Sequence, residues 1–503
     1  MRKSVLDYLE QSESLFPNKQ AVVDETGCDT YGKLADKARR VGTFLACRGM
    51  KENAVAAILL GKTRTALSAF WGVTYAGGIY APMDCKAPVE RLRRILEVLD
   101  PAYVLTDEEN YEKALELVSA DRILLMKELL ETEPDRVRLQ EIQTRRIDTD
   151  PLYIVCTSGS TGIPKGVVIS HRAVIDFTEE ASETMDFSEE EIFANQAPFY
   201  FDASVPDLYC TIRNGATLHI IPERWFAFPI KVLEYIREQE VNAIFWVPSA
   251  LIVAANLRAV REVDVTCLKK IMFCGEVMPV KQYNIWKKHV PDAKYVNYYG
   301  PSETTYASTY YIIDREFDNE DTLPIGRAAI NPGVLILDEH NKPCERGQTG
   351  ELCIRGSGVA LGYYNNPEKT AEVFVQNPLS PYYHDLMYRT GDLVCENSFG
   401  EIEYVGRKDF QIKHMGYRIE LGEIEHAAMN IAHMERTCCI YNDKKQVIVL
   451  VYEGQTDADT VRETLKNRVP EYMVPGTILQ LETIPMNANG KIDRKMLKEK
   501  YGK

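Results

Sequence analysis

Ten residues, 157–166, combine three glycines, four hydroxyl side chains, a proline and a lysine. They follow an apolar run, residues 152–156, which is typical of a buried strand. Backbone amides that glycine leaves accessible can surround polyphosphate oxygens together with Ser and Thr hydroxyls, and Lys165 adds positive charge. We name residues 157–166 the glycine-rich loop. Its composition favours a polyphosphate site, because a plain surface turn, the alternative, needs no row of hydroxyls before Pro-Lys-Gly.

Other phosphate and metal motifs are missing from the sequence. A Walker loop would need a glycine at Ala56, five residues before Gly61. Residues 356–362 are one residue too long for the dinucleotide fingerprint. Neither Cys-x-x-Cys nor His-Glu-x-x-His occurs. The loop must therefore use a different phosphate chemistry.

The Thr-Ser-Gly-Ser-Thr-Gly-Ile-Pro-Lys-Gly sequence of the loop resembles the signature of the adenylate-forming superfamily. This superfamily includes acyl-CoA synthetases, luciferases and peptide-synthetase adenylation domains. Residues 76–84 resemble a second block of the same superfamily, and the resemblance covers the whole chain. It implies activation of a carboxylate with ATP and Mg²⁺, in which transfer to AMP creates a good leaving group and charge builds up on phosphate oxygens.

Polar residues that follow predicted strands complete a candidate nucleotide site. Ser302 and Glu303 lie in a turn after a strand, and a hard carboxylate near phosphates suits Mg²⁺, although a solvated surface glutamate is the alternative. Asp392 could accept from both ribose hydroxyls or cap its own turn. The resemblance implies that Glu303 binds Mg²⁺ and that Tyr299 stacks on adenine. It assigns nucleotide binding to Thr157, Ser158, Gly159, Ser160, Thr161, Lys165, Asn297, Tyr299, Ser302 and Asp392.

Two cationic residues are implied as catalytic. Lys491 follows an Asn-Gly turn near the end of the sequence and resembles the lysine that bridges carboxylate and phosphate during adenylation. Arg407 is expected near the ribose and phosphate, or in an ordinary surface ion pair. The resemblance also makes Asp409 a hinge between a large and a small domain. Residues 416–425 would then line the route of the carrier to the active site.

Asp202 lies among aromatic residues, which is unusual in a site for a carboxylate unless the aspartate meets a cation. In peptide-synthetase adenylation domains the matching aspartate binds the α-amine, so an amino-acid substrate is favoured. Capping of a helix near Val205 is the alternative. Motif alignment gives the other pocket positions as Ala203, Pro206, Phe245, Met272, Cys274, Tyr298, Tyr306 and Ala307.

Several of these pocket residues are bulky, which predicts a small pocket that fits alanine, glycine or serine. Residues 195–202 and 273–279 look most like the branch of the superfamily that loads D-alanine onto a carrier protein for teichoic-acid alanylation. The hydroxyls of Tyr298 and Tyr306 could equally hold a polar side chain. We expect a separate phosphopantetheinylated carrier protein as the partner.

The chain has 503 residues, too many for a single core. Strand-like and helix-like segments alternate, which predicts βαβ units and an α/β fold with parallel-rich sheets. We expect a large N-terminal adenylation core, residues 1–408, with a β-barrel-like part. A small mobile α+β domain, residues 409–503, should follow.

A net charge of −15 argues against nucleic acid or an anionic membrane as the main partner. The N-terminus lacks an apolar signal, and no run of about 18 apolar residues predicts a membrane span. Twelve scattered cysteines are typical of reduced thiols. We therefore expect a cytoplasmic monomer without membrane insertion.

Three functions remain in competition. The first is a ligase that joins an amino acid to a carrier protein, and the second is an acyl- or aryl-CoA ligase, which Asp202 disfavours. The third is a binding or regulatory protein on a degenerate adenylation fold. It is disfavoured because Lys165, Glu303, Asp392 and Lys491 are all present.

Overall fold

The computed structural model describes residues 2–159, 162–329, 331–442, 444–487 and 492–502. The chain divides into two compact units, each built from several segments. The first unit comprises Met1–Met83, Pro101–Val155 and Val167–Lys408. The second comprises Asp84–Asp100, Cys156–Gly166 and Asp409–Lys503. The predicted mobility of a C-terminal domain remains a prediction.

The described residues form strands that alternate with helices through most of the chain. The strands are β1 (Gln20–Asp24), β2 (Gly27–Thr30), β3 (Val55–Leu59), β4 (Ile79–Pro82), β5 (Tyr103–Thr106), β6 (Ile123–Leu125), β7 (Pro151–Thr157), β8 (Lys165–Ser170), β9 (Ile192–Asn195), β10 (Thr217–Ile220), β11 (Ala243–Trp246), β12 (Lys270–Phe273), β13 (Lys294–Tyr299), β14 (Thr309–Ile312), β15 (Arg327–Ala328), β16 (Gly333–Leu337), β17 (Gly350–Arg355), β18 (Gly362–Tyr363), β19 (Phe374–Gln376), β20 (Leu386–Glu396), β21 (Ile402–Arg407), β22 (Gln411–His414), β23 (Tyr417–Glu420), β24 (Met434–Asn442), β25 (Val447–Gly454) and β26 (Thr477–Gln480).

The helices are α1 (Leu6–Leu15), α2 (Tyr31–Cys47), α3 (Arg64–Tyr75), α4 (Val89–Leu99), α5 (Tyr111–Leu115), α6 (Met126–Leu130), α7 (Arg136–Thr144), α8 (His171–Met185), α9 (Val205–Asn214), α10 (Pro229–Glu238), α11 (Pro248–Asn256), α12 (Ala259–Glu262), α13 (Val280–His289), α14 (Pro367–Val373), α15 (Leu421–Met429), α16 (Ala458–Lys466) and α17 (Arg494–Tyr501). Many begin where the sequence supplies an N-cap, as Ser170 does for α8 and Asp457 for α16. Among the described residues, no helix is both long and apolar enough to cross a membrane.

The largest sheet has the strand order β15-β14-β13-β12-β11-β9-β10-β1-β2. Its central strands β9 to β13 are parallel, and β14 and β2 pair antiparallel at either side. β11 is buried along its whole length, as expected for a central strand covered on both faces. Parallel strands carry the residues at their carboxyl ends to one edge of the sheet, which is where α/β folds bind ligands.

Two further sheets belong mainly to the first unit. One has the order β18-β8-β7-β4-β3-β5-β6, in which β7, β4, β3, β5 and β6 pair parallel and β18 pairs antiparallel with β8. The other, β16-β17-β20-β19 with β21 on β20, is antiparallel throughout. The predicted α/β class, with mixed sheets in a large N-terminal part and a small C-terminal part, is confirmed.

The second unit contains the hairpin β22-β23, the sheet β24-β25-β26 and helices α4, α15 and α16. Its core includes Ile419, Ile424 and Leu450. Arg91 of α4 forms a buried ion pair with Glu423 of α15. Burial raises the pKa of Glu423, and the Arg91 charge opposes that shift. A buried pair of this kind is costly to break, because removing one partner leaves an uncompensated charge.

His171, the first residue of α8, is fully buried in the first unit. The backbone N–H of Val5 donates to its Nδ1 at 3.2 Å, and Arg146 Nη2 lies 3.2 Å from its Nε2. Arg146 also donates to Asn53 Oδ1 at 2.8 Å and to the Gly77 carbonyl at 3.0 Å. Burial, with a smaller effect of the Arg146 charge, lowers the pKa of His171 to about 3.

This shift predicts acid sensitivity of the fold. The unfolded chain protonates His171 near its ordinary pKa of about 6.5, whereas the folded chain resists protonation until about pH 3. The stability that neutral His171 contributes is fully present above about pH 6.5 and declines as the pH falls. We expect His171→Asn to remove a slope of ~1.4 kcal/mol per pH unit from the free energy of unfolding between about pH 6 and 4. Urea unfolding at stepped pH measures the slope.

The matched control is His340→Asn, because the His340 side chain is 73% exposed. The control should keep the slope of the parent protein. An unchanged slope in His171→Asn would show that other groups set the acid sensitivity.

Candidate functional site

Phe245, Tyr298 and Tyr306 form an aromatic cluster in the first unit, at the carboxyl edge of the largest sheet. Phe245 lies on β11 and Tyr298 on β13, while Tyr306 follows the 3₁₀ turn Ser302–Thr304. The three ring centroids are 6.2 to 6.3 Å apart. All three side chains are buried. The structure therefore brings together residues that motif alignment assigned to one pocket.

The strand between them contributes the next pocket residues. Met272 of β12 pairs in register with Phe245 and is fully buried. Cys274 follows β12, and its Sγ lies 3.7 Å from the Tyr306 carbonyl. Ala307 is buried in the same core, and Ala203 packs against it.

Asp202 begins the 3₁₀ turn Asp202–Ser204 that leads into α9. Ser204, not Asp202, occupies the N-cap position of α9, and Pro206 lies in its first turn. The charge of Asp202 contributes to raised pKa values at two buried phenols, Tyr153 and Tyr306, although burial is the larger cause. The next residue, Ala203, packs against the core that contains the aromatic cluster, so this turn places Asp202 beside the cluster, where its carboxylate could meet a cationic group of a ligand.

Asp207 of α9 is a second aspartate in this part of the chain. It is fully buried and was not predicted as part of the site. Asn195 Nδ2 donates to it at 2.7 Å. Burial raises the pKa of the Asp207 carboxyl well above its usual range, which favours the neutral acid. Nothing in the sequence distinguished the buried Asp207 of α9 from Asp202 in the turn before it.

Asp392, Tyr299 and Arg407 form a hydrogen-bonded group that we name the Asp392 network. The Tyr299 hydroxyl donates to Asp392 Oδ2, and Arg407 Nη1 donates to Asp392 Oδ1 at 2.7 Å. Burial and the neighbouring Asp392 charge raise the pKa of Tyr299 well above its ordinary value. Three residues that were predicted separately as nucleotide contacts are therefore in direct contact.

The backbone around Asp392 differs from the expected strand end. β20 runs continuously from Leu386 to Glu396, so Asp392 lies inside a strand. Gly391 has a φ of +72°, and the pairing with β21 shifts register between Leu393 and Val394. Such an irregularity re-aims a side chain without ending the strand.

Glu303 lies in the 3₁₀ turn Ser302–Thr304 and is fully buried. The Tyr363 hydroxyl donates to Glu303 Oε1 at 2.7 Å. Tyr363 is 60 residues away in sequence, and no sequence pattern indicated it. One carboxylate beside the Ser302 hydroxyl fits Mg²⁺, which commonly takes most of its ligands from phosphate and water. Asn297 of β13 instead donates to the Pro324 carbonyl at 2.8 Å, so its amide supports the strand.

The glycine-rich loop belongs to the second unit. A Cβ on Gly159 would lie 2.0 Å from the Ile163 carbonyl oxygen, and Gly162 has a φ of +79°, so both positions require glycine. The Thr157 hydroxyl oxygen is buried and has no hydrogen-bond partner among the described residues. An unpartnered donor beside two obligatory glycines fits a loop that binds phosphate oxygens.

Other polar groups of the loop contact residues 418–420. The Ser158 hydroxyl donates to the Arg418 carbonyl at 2.9 Å and accepts from the Glu420 backbone N–H at 3.1 Å. Lys165 lies 3.4 Å from Glu420 Oε1. These partners were not predicted, although residues 416–425 had been assigned to the site.

The remaining predicted positions are placed as follows. Asp409 opens the last segment of the second unit, and its Oδ1 accepts from the Gln411 backbone N–H at 3.1 Å. Ser160, Thr161 and Lys491 lie outside the described residues. Within those residues, no group of three or more His, Cys, Asp or Glu side chains could hold a metal ion.

Comparison with known proteins gives relatives along nearly the whole chain. It is 33% identical over 497 residues to a plipastatin synthase of Bacillus subtilis, covering 96% of this chain and 19% of that protein. The chain thus spans about a fifth of this relative.

Solved structures share the fold. An adenylation domain from Vibrio cholerae, AlmE, has a TM-score of 0.85 at 21% identity and covers 99% of this chain and 98% of its own. An artificially fused adenylation-PCP di-domain from Klebsiella oxytoca, NpsA-ThdA, has a TM-score of 0.83 at 22% identity, with 95% and 93% coverage. At these identities the likeness concerns the fold alone.

A family model described as AMP-binding enzyme matches residues 9–364. This range contains the glycine-rich loop, the aromatic cluster and Glu303. Because the match spans more than half of the chain, this protein belongs to the AMP-binding enzyme family.

Proposed function

We propose that this protein activates an amino acid with ATP to form aminoacyl-AMP and transfers it to the phosphopantetheine thiol of a carrier protein. The observation that carries the proposal is Asp202 beside the aromatic cluster. A carboxylate in a site that must accept a substrate carboxylate is favourable only if it pairs with a cation. The α-amine of an amino acid supplies that cation, whereas a fatty or aryl acid does not.

The first step is an in-line displacement at phosphorus. A substrate carboxylate oxygen attacks the α-phosphorus, and the bond to pyrophosphate breaks. In the second step a thiolate attacks the acyl carbon, and AMP leaves. Both steps place charge on phosphate oxygens, so preorganised positive groups should dominate the rate.

The residues proposed to bind ATP contact different parts of the nucleotide. Hydroxyls and amides of the glycine-rich loop, with Lys165, bind pyrophosphate oxygens. The Asp392 network binds the ribose, with Tyr299 against adenine and Ser302 at the α-phosphate. Glu303 would hold Mg²⁺, which when bound neutralises phosphate charge.

Catalytic roles are proposed for two cations. Lys491 bridges the carboxylate and the α-phosphate, and Arg407 orients the ribose and phosphate through Asp392. Removing one preorganised charge of this type costs on the order of 10²–10³ in rate. A hinge at Asp409 would let one small domain serve both steps.

The finer proposal concerns the amino acid. The buried rings of Phe245, Tyr298 and Tyr306 support a small substrate. D-alanine is one candidate, on the likeness of residues 195–202 and 273–279. The alternative is another small amino acid used by a peptide-synthetase-type enzyme, and the names of relatives such as the plipastatin synthase favour this alternative.

The primary test is ATP–pyrophosphate exchange with each standard L-amino acid, glycine and D-alanine. We expect one or a few small amino acids to support exchange and Lys491→Ala to abolish it. Loading of a phosphopantetheinylated carrier, compared with loading of free CoA, then identifies the acceptor. The absence of exchange with every amino acid would overturn the proposal and direct attention to acyl or aryl acids.

Asp202→Asn tests the contact with the α-amine. Loss of the carboxylate charge should raise the KM of the amino acid by about 30- to 1,000-fold, the range for losing one partner of a buried charge pair. The KM of ATP should change little. Steady-state exchange with each substrate varied in turn separates the two constants.

Asp457→Asn is the control, because Asp457 caps α16 and asparagine caps equally well. If the KM of the amino acid is the same in Asp202→Asn and the parent, Asp202 does not bind the α-amine.

Asp392→Asn tests the ribose contact. Asparagine would keep one acceptor oxygen but present an NH₂ group to either Tyr299 or Arg407, both of which donate. We expect the KM of ATP to rise by about 10- to 100-fold, the equivalent of losing one or two charge-assisted hydrogen bonds. The control is Asp385→Asn, which alters a pair with Arg355 in the same unit. A rise in the KM of the amino acid alone would contradict the assignment.

A further inference from the structure

We propose that the amino acid bound beside Asp202 carries a hydrogen-bond donor on its side chain and that Tyr298 Oη binds this group. The donor would be a hydroxyl, a carboxamide or an ammonium group. This inference rests on the proposed function and narrows its substrate class. It makes Tyr298 a specificity-determining residue through its hydroxyl as well as its bulk.

The first observation is an unpaired hydroxyl. Tyr298 Oη is buried and has no hydrogen-bond partner among the described residues. Its ring is held between Phe245, Tyr306 and Tyr310, with centroid distances of 6.0 to 6.2 Å. Leaving a buried hydroxyl without a partner destabilises the fold, so an unpaired one indicates a group that binds there.

Two other buried tyrosines of the first unit satisfy their hydroxyls within the core. Tyr31 donates to the Ala216 carbonyl at 2.7 Å, and Tyr295 donates to the Val290 carbonyl at 3.0 Å. Within the described residues, the buried tyrosine hydroxyls that lack a partner belong to Tyr298 and Tyr153. Tyr153 is the phenol whose pKa responds to Asp202. Of the two, Tyr298 belongs to the aromatic cluster of the candidate site, where a ligand would complete its hydroxyl.

The charges around Tyr298 indicate a donor rather than an acceptor on the substrate. Burial is the main reason that the pKa of Tyr298 lies well above its ordinary value, and the charge of Glu180 adds to it. Glu180 lies on α8 one turn beyond Phe177, whose ring packs edge-on against Tyr306 at 5.3 Å. Glu180 also lines a small cavity with Thr305 and Ala307, which flank Tyr306, so its carboxylate contributes a negative potential on this side of the aromatic cluster. An acidic side chain would be repelled there, whereas a group with a polar hydrogen is attracted.

The backbone beside the pocket is held in an uncommon conformation. Thr305 and Tyr306 have φ values of 58° and 69°, a left-handed region that is unfavourable for residues with a Cβ. The Thr305 hydroxyl donates to the Gly358 carbonyl at 2.8 Å, which anchors the turn. This turn fixes the Tyr306 ring against Tyr298 and limits how far the cluster can rearrange to satisfy the hydroxyl from within.

Tyr298→Phe isolates the hydroxyl, because it keeps the ring. We measure kcat/KM in ATP–pyrophosphate exchange for matched pairs that differ in a polar group: serine with alanine, threonine with valine, and asparagine or lysine with leucine. The parent enzyme should prefer the polar member. The variant should lose about 10- to 100-fold for the preferred substrate and little for its apolar counterpart. Tyr283→Phe, which removes the hydroxyl of a buried residue of α13 in another core cluster, should leave the ratio unchanged.

The melting temperature of Tyr298→Phe supplies a readout independent of activity. Removing an unpaired hydroxyl from an apolar cluster should leave stability unchanged or raise it. A clear fall in melting temperature would reveal a structural hydroxyl and overturn the inference.

The outcomes separate this inference from the proposed function. Exchange that favours alanine, glycine or D-alanine, or a polar preference that survives in Tyr298→Phe, overturns the inference and leaves amino-acid activation intact. Exchange that favours an acidic side chain also overturns it. A lack of exchange with every amino acid overturns both.

Discussion

The parallel, in-register pairing of β11, β12 and β13 is the constraint on which the candidate site depends. Pairing of Phe245 with Met272, and of Met272 with Val296, fixes where each strand ends. Cys274 and Tyr298 then reach the same edge, and the turn after β13 brings Tyr306 back to them. A shift of one residue in any pair would turn these side chains to the opposite face. The register of the sheet thus determines which side chains line the pocket.

Buried charge organises the other half of the proposed chemistry in the first unit. Asp392 is shielded from water, yet the Tyr299 hydroxyl and the Arg407 guanidinium both point at it. Together they compensate a carboxylate that would otherwise be expensive to bury. The same groups hold each other in fixed positions, so a nucleotide would meet a preorganised surface. Compensation and preorganisation follow here from one set of hydrogen bonds.

The sequence predicted regular elements better than contacts. The apolar run at residues 152–156 became β7, which extends it by one residue at each end, because buried strands need such runs. Local motifs also identified Asp202, Glu303 and Asp392. The partners of Glu303 and Lys165 were not foreseen, since Tyr363 and Glu420 reach them through folding from distant parts of the chain. Asp207 was missed for a different reason, because an aspartate in a helix gives no sign that it will be buried.

The discontinuous second unit has a consequence for recombination. Asp84–Asp100 and Cys156–Gly166 belong to the same compact unit as the C-terminal residues, although they are encoded far upstream. Exchange of everything after Lys408 for the equivalent part of a relative would import a new partner for Arg91 while retaining the old arginine. A mismatched partner would leave a buried charge uncompensated, at a cost of about 3–5 kcal/mol. Functional chimeras are therefore expected to inherit residues 84–100 together with the C-terminal segment. A single crossover point after Lys408 would separate these two parts of the same compact unit.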